Sequence, residues 1–168
     1  MTSTPSSWKR AEGRRILGLD PGSRVTGWGL VEARGRRVEA VAFGCFRPPR
    51  GAARATVLAR LADQLEELVQ AQNPDAVALE VTFAARLPRA ALALAEARGA
   101  LLVALGHRGI PVHEYEPARV KMAVVGNGNA EKRQVAFMVR QHLHLATTPA
   151  ADAADALALA LCHVWSAP

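Results

Sequence analysis

Apolar and polar residues divide the first third of the chain into three short segments with the character of β-strands. These segments cover residues 14–20, 25–32 and 37–46, and the turn-forming stretches PGSR and ARGR separate them. Residues 38–43 alternate between two faces, as a strand with one buried side does. The pattern predicts an antiparallel meander of three strands.

Helical spacing replaces this alternation after the breaker RPPRG. Leu58, Leu61 and Leu65 recur at helical intervals within residues 55–70. The run DAVALEV, at residues 75–81, is almost continuously apolar, as in a strand buried on both faces. We predict an alanine-rich helix at residues 88–106 and a short strand at residues 110–115. Three further helices are predicted at residues 117–125, 130–144 and 151–165, with Asn129 as the N-cap of the second of these.

The order of these elements predicts a single α/β domain. We expect a mixed five-stranded sheet flanked by helices, with the first three strands antiparallel and the last two joined through helical crossovers. If strands one and four are adjacent and parallel, Asp20 and Glu80 lie side by side near their carboxyl ends. Ligands of α/β folds usually bind at that edge of the sheet.

Composition and charge narrow the function. Half of the 168 residues are hydrophobic, which suits one domain over residues 14–168, after a flexible N-terminal tail at residues 1–13. Lys and Arg outnumber Asp and Glu by 21 to 15, a balance typical of proteins that bind nucleic acid. Cys45 and Cys162 lie in apolar segments, as buried thiols of a reducing compartment do. We find no membrane-targeting segment and predict a cytoplasmic location.

Four acids are the candidates for chemistry. Glu80 interrupts an apolar strand, where an unpaired carboxylate is costly, and Asp152 and Asp155 lie on one face of the last helix. Together with Asp20 they can converge on Mg²⁺, which prefers carboxylate oxygens, and two such ions ~4 Å apart support in-line phosphodiester cleavage. The structural alternatives are a turn opener for Asp20 and helix N-terminal acids for the other two aspartates.

Several motifs resemble one protein family in order and spacing. The stretches ILGLDPGSRVTGWGLVE, ALEVTF, EARG, VKMAVVGNGNAEKRQVAFMVR and ADAADALALALCH resemble the RuvC family of Holliday-junction resolvases from about Arg14 to the C-terminus. The resemblance implies a ribonuclease H-like fold, a homodimer and symmetric nicking of four-way DNA junctions in recombination and repair. It implies dependence on Mg²⁺, with Mn²⁺ as an alternative ion. It also implies that Asp20, Glu80, Asp152 and Asp155 are the catalytic metal ligands.

DNA-binding residues are predicted near the same elements. The resemblance implies that Phe83 stacks on an unpaired base, a contact that contributes ~1–3 kcal/mol per base, while a core position is an equal alternative. Basic residues around a helix start and the GNGN loop are predicted to contact phosphates, namely Arg86, Arg89, Lys121, Lys132 and Arg133. Solvated surface charge is the alternative for any one of them.

The apolar surface of the helix at residues 88–106 predicts a protein partner. Its apolar circumference is wider than one core face requires, so we expect it to pack against its copy in a homodimer. Four-way junction DNA is the other expected partner, and junction-binding and branch-migration helicase proteins are further candidates.

Gly22, Gly27 and Gly29 are expected to allow close backbone approach in the first hairpin, with a bulge as the alternative at Gly27. The five histidines lack metal-binding spacing and receive no role.

Three other functions stay open on the residues alone. A sugar-kinase or actin-like ATPase shares the Asp-x-Gly hairpin, but the chain is too short for the second lobe of such a nucleotide site. An RNA–DNA hybrid nuclease can use the same acid cluster. A non-catalytic junction binder is the third alternative, which the four acids disfavour because they repel phosphate.

Overall fold

The computed structural model describes residues 13–22, 24–49, 51–81 and 88–166, without the side chains of residues 88 and 89. Apart from Gly13, the predicted tail lies outside these residues. The elements in chain order are β1 Arg14–Asp20, β2 Thr26–Arg34, β3 Arg37–Phe46, α1 Arg54–Gln72, β4 Ala76–Glu80, α2 Pro88–His107, β5 Val112–Tyr115, α3 Pro117–Val125, α4 Lys132–His142 and α5 Ala151–Ser166. Every predicted element is present, with its ends shifted by at most about two residues.

The five strands form one mixed sheet in the order β3-β2-β1-β4-β5. β1, β2 and β3 are antiparallel, whereas β4 is parallel to β1 and β5 is parallel to β4. The predicted adjacency of strands one and four is therefore confirmed. The register is regular at Gly27, which pairs with Asp20, and the irregularity in β2 lies between Leu30 and Val31 instead. The alternative of a bulge at Gly27 is wrong.

Helices cover both faces of the sheet. α3, α4 and α5 pack on one face, around Ile16, Ala78 and Tyr115. α1 and α2 pack on the other face, where Leu17, Leu19 and Leu79 meet the apolar side chains of both helices. Because side chains alternate along a strand, Asp20 and Glu80 share the face of Ile16 and Ala78, which is the face that α5 covers.

Three glycines allow α5 to lie directly on the backbone of the first hairpin. A β-carbon on Gly18 would overlap the carbonyl oxygen of Ala156, and one on Gly27 would overlap that of Asp152. A β-carbon on Gly29 would lie 2.6 Å from Cγ of Leu157. The predicted close approach at Gly27 and Gly29 is confirmed, and the element that approaches is α5.

The start of α4 differs from the prediction. Glu131, not Asn129, is the N-cap, and it forms a reciprocal capping box with Gln134. The backbone N–H of Asn129 donates to Oδ1 of Asn127 within the preceding loop, 3.0 Å away. The two-way bonding between Glu131 and Gln134 satisfies a donor at each end of the first turn, which a single asparagine cannot do.

α2 contains one stretch, Ala90–His107, that is long and apolar enough to cross a membrane by length and composition alone. It packs Ala97, Leu101 and Leu105 into the core beneath the sheet. Two of its charged residues are paired within the domain, Glu96 with Arg54 and Arg98 with Glu114. Only a minority of the stretch is buried, so α2 contributes one face to the core and leaves the rest of its surface uncovered.

Both cysteines are free thiols, as predicted. The predicted burial is confirmed for Cys162 in α5 and is wrong for Cys45, which is only half-buried near the end of β3.

Candidate active site

Two carboxylates end adjacent parallel strands. Leu19 lies opposite Leu79 in the β1–β4 register, so the acids that follow them, Asp20 and Glu80, end the two strands at the same level. Both are half-buried, and both lie on the α5 face of the sheet. The topology therefore brings these two acids together, although 60 positions separate them in the sequence.

α5 brings a third carboxylate to the same place. Asp155 lines a cavity of about 280 Å³ together with Asp20 and Glu80, and Lys121 and Lys132 line it from α3 and α4. Asp152 is half-buried one turn earlier and does not line this cavity. It is close enough for its charge to act on Asp20. The structure thus gathers three of the four predicted acids in one cavity and holds the fourth beside it.

The acids repel one another and are partly withdrawn from water. Burial, followed by the charges of Asp155 and Glu80, raises the pKa of Asp20 to about 7. Burial and the charge of Asp155 also raise the pKa of Glu80. Lys132 offsets part of this charge, because its Nζ donates to Oδ2 of Asp155 at 2.8 Å, a bond that raises the pKa of the lysine. The cavity therefore favours a bound cation.

A divalent cation fits the donor set of this cavity. The donors are carboxylate oxygens, the ligands that Mg²⁺ prefers. Burial is the largest cause of the raised pKa of Asp20, and the charges of Asp155 and Glu80 raise it further although Lys132 acts in the opposite direction. In the described part of the chain, no three Asp, Glu, His or Cys side chains enclose a common point closely enough to form a finished metal shell. The acids are gathered around the cavity without forming such a shell.

Comparison with known proteins agrees with this geometry. A family model described as the crossover junction endodeoxyribonuclease RuvC matches residues 16–163. The chain belongs to the RuvC family. It is 54% identical over 149 residues to the crossover junction endodeoxyribonuclease RuvC of Halorhodospira halophila, covering 89% of each chain. It is 50% identical over 155 residues to that of Alkalilimnicola ehrlichii, covering 91% of this chain and 92% of the relative.

Two solved structures show the same architecture. The chain superposes on T. thermophilus RuvC in complex with Holliday junction substrate with a TM-score of 0.87 and 34% identity, over 92% of this chain and 94% of the other. The yeast mitochondrial Holliday junction resolvase Ydc2 shares the fold with a TM-score of 0.63 at 13% identity, over 90% of this chain and 79% of that chain. The fold is the ribonuclease H-like fold that the resemblance implied.

The basic residues predicted to bind DNA divide into three groups. Lys121 and Lys132 line the carboxylate cavity. Arg133 does not, because its Nε donates to Oε2 of Glu131 at 2.7 Å and its side chain is 85% exposed beside the start of α4. Phe83 and Arg86 lie outside the described residues, as does the side chain of Arg89. Among the predicted DNA-contact residues whose side chains the structure describes, only the two lysines are gathered with the acids.

Arg98 is a site residue that sequence reasoning missed in this RuvC-family chain. It reaches from α2 to the end of β4, where its Nη1 donates to the carbonyl oxygen of Glu80 at 2.7 Å. It also pairs with Glu114 of β5, and its side chain is only 16% exposed. Arg98 therefore fixes the backbone that carries Glu80. Its signal was the EARG motif, which contributed to the resemblance without indicating a role.

His163 is the second residue that sequence reasoning missed, since no role was predicted for it. It is 1% exposed, and its ring lies between Tyr115 and Arg14. Nε2 lies 3.1 Å from Nη2 of Arg14, and Nδ1 lies 2.7 Å from the hydroxyl of Tyr115. A guanidinium can only donate, so Nε2 accepts and Nδ1 carries the proton in the neutral ring. This network joins the helix of Asp155 to β1 and β5.

Proposed function

We propose that this chain is a Mg²⁺-dependent endonuclease that resolves four-way DNA junctions by symmetric cleavage as a homodimer. The observation that carries the proposal is the shared cavity, which gathers carboxylates from β1, β4 and α5 beside two lysines. Membership of the RuvC family supports the nuclease chemistry. The junction substrate bound by the T. thermophilus relative supports the choice of DNA.

Asp20, Glu80 and Asp155 would hold the ion, with Asp152 contributing from the first turn of α5. Bound there, Mg²⁺ would polarise the scissile phosphate and lower the pKa of an attacking water. The glycines beneath α5 fix the distance of Asp155 from Asp20, and Arg98 fixes the end of β4. These residues therefore set how far apart the carboxylates can lie.

The lysines supply the positive charge that a phosphodiester needs near a cluster of acids. Lys132 is 78% exposed although it bonds to Asp155, so its ammonium can move to a phosphate without leaving the cavity mouth. Lys121 is half-buried, and its charge acts on Glu80. Together they bind the strand backbone without reading its bases.

Homodimer formation would supply the two-fold symmetry that symmetric cleavage of the junction requires. α2 exposes Leu92, which is 62% exposed, and Val103, which is 59% exposed. These side chains lie about three helical turns apart and so share one face. A second copy packed on that face would bury both and would present one carboxylate cavity to each of two opposing strands.

The test is cleavage of three labelled substrates in the presence of Mg²⁺: a four-way junction, a linear duplex and an RNA–DNA hybrid. Paired symmetric nicks in the junction alone, lost in an Asp20→Asn variant and in chelator, are the expected result. Junction binding without cleavage by any divalent ion would make the chain a structural binder. Cleavage of the hybrid alone would make it a ribonuclease.

A further inference from the structure

A second basic groove opens at the carboxylate edge of the sheet, on the α1 side. Its volume is about 640 Å³, and it lies between the β1–β2 turn and the segment that joins β3 to α1. Arg24, Arg47 and Arg54 line it, together with the rigid pair Pro48 and Pro49. The sequence prediction of DNA contacts included none of these arginines.

Two of the three arginines lack an ion-pair partner among the described residues. Arg54 is held by an ion pair with Glu96 at 2.5 Å and by the carbonyl oxygen of Ala93. Arg24 and Arg47 are exposed, and neither forms an ion pair with any other described residue. Among the described residues that line the groove, none is acidic. The groove is therefore open to an anion.

The topology places this groove next to the acids. Gly27 pairs with both Asp20 and Cys45, so Arg47 follows β3 directly at the carboxylate end of the sheet. The charges of Arg47 and Asp152 both act on the thiol of Cys45. Arg24 lies in the turn that begins after Asp20. Exposed arginines scattered over a surface are ordinary, but these two converge beside one functional edge.

The two basic surfaces flank the acids from opposite faces of the sheet. Lys121 and Lys132 approach from α3 and α4, whereas the groove opens beside the start of α1. A DNA strand with its scissile phosphate at the acids must continue in both directions, and the lysines serve only one of them. We propose that Arg24 and Arg47 bind phosphates of the DNA strand being cut, on the α1 side of the carboxylate cavity. This inference rests on the proposed nuclease function.

The chemistry of the groove fits a phosphodiester backbone. Guanidinium groups form paired hydrogen bonds to phosphate oxygens, and they keep their charge at any pH at which the domain is folded. The two prolines contribute no backbone N–H groups, and the arginine side chains supply the charged donors of the groove. No base-reading contact is required, and the groove adds affinity and register to the cut strand rather than sequence preference.

The experiment measures junction binding without divalent ions as a function of salt concentration. In the Arg24→Ala/Arg47→Ala double variant, the slope of log K against log salt should fall by about two, because each phosphate contact contributes about 0.9. The Arg24→Lys/Arg47→Lys variant should retain most of the slope. A control that removes exposed arginines elsewhere, Arg36→Ala/Arg60→Ala, should leave it unchanged.

Neutral methylphosphonates placed one at a time around the scissile position locate the contact. At positions on the α1 side they should weaken binding of the wild-type protein and have little further effect on the alanine double variant. If the wild-type protein cuts junctions and the folded double variant keeps the wild-type salt slope, the proposed role of the groove is wrong. The proposed nuclease function is then unaffected. A wild-type protein that binds no junction would overturn both.

Discussion

The carbonyl oxygen of Asp152 occupies the space that a β-carbon on Gly27 would need. Gly27 pairs with Asp20, so this contact sets the distance between the first turn of α5 and the end of β1. A methyl group there must push α5 outward, and Asp152 and Asp155 must move with it. The glycine therefore controls the geometry of the acids without contacting substrate.

We expect Gly27→Ala to lower the cleavage rate by roughly 10- to 100-fold, since misplacement of catalytic groups by about 1 Å has effects of that size. Overpacking should also lower the free energy of unfolding by about 1–3 kcal/mol. The matched control is Gly99→Ala in α2, where no atom lies within 4 Å of the added β-carbon. That variant should gain up to about 1 kcal/mol of stability from helix propensity. Wild-type cleavage by Gly27→Ala would contradict the spacing role.

Arg98 should act as a positioning residue for Glu80. Arg98→Met removes the donor to the carbonyl oxygen of Glu80 and leaves Glu114 without its partner, so the free energy of unfolding should fall by about 1–3 kcal/mol. The rate at saturating junction should fall more than the affinity does, and Arg98→Lys should restore part of it. Arg108→Met is the control, because the pair of Arg108 with Glu66 is exposed and should contribute little. Equal stability of the two methionine variants in urea unfolding would contradict this assignment.

The contrast between Glu80 and Arg98 shows what the sequence can and cannot indicate. Glu80 was predicted because an acid inside an apolar strand breaks a local pattern. Arg98 lies on a helix, where an arginine breaks no pattern, and its role exists only once α2 crosses the end of β4. The same holds for His163, which is buried by β1 and β5 rather than by its own helix.

Element order was predictable because apolar periodicity is a property of adjacent residues. The packing of α5 on Gly18 was not, since nothing in the hairpin indicates which distant helix approaches it. Sequence spacing placed Asp152 and Asp155 on one helix face, but it could not show that only Asp155 lines the cavity.

Lys132 should bind phosphate as a point charge. Lys132→Ala is expected to weaken binding to all junction sequences alike and to lower the salt slope by about one. Arg60→Ala, at an exposed position of α1, is the control and should leave the slope unchanged. Binding isotherms at several salt concentrations provide the measurement, and an unchanged slope in Lys132→Ala would reject the contact.

The uncovered face of α2 should be the dimer surface. Leu92→Glu/Val103→Glu places two charges on that face and should convert a dimer into a monomer in sedimentation at micromolar concentration. The two opposing strands of the junction should then no longer be nicked as a symmetric pair. Met122→Glu, on the exposed side of α3, is a control of similar exposure that should keep the dimer. A wild-type protein that is monomeric with and without DNA would show that the proposed interface is wrong.

His163 should make the domain less stable in mild acid. Burial, the neighbouring ring of His113 and the charge of Arg14 lower the pKa of His163 to about 4 in the folded state, against an ordinary value of 6.5. Tyr115 Oη and Arg14 Nη2 hold its two ring nitrogens, and protonation of Nε2 would remove the acceptor of Arg14. Between these two pKa values the unfolded chain binds the proton and the folded chain does not.

Stability from this residue is therefore complete above about pH 6.5 and is lost as the pH falls towards 4, by an amount on the order of 3 kcal/mol. Other groups titrate in the same range, so the measurement is a difference: urea unfolding of the wild type and of His163→Gln from pH 7 to pH 4. The wild type should lose more stability than the variant over this range. His107→Gln, at the exposed end of α2, should follow the wild type. Parallel curves for the wild type and His163→Gln would show that the buried ring takes up its proton as freely as an exposed one.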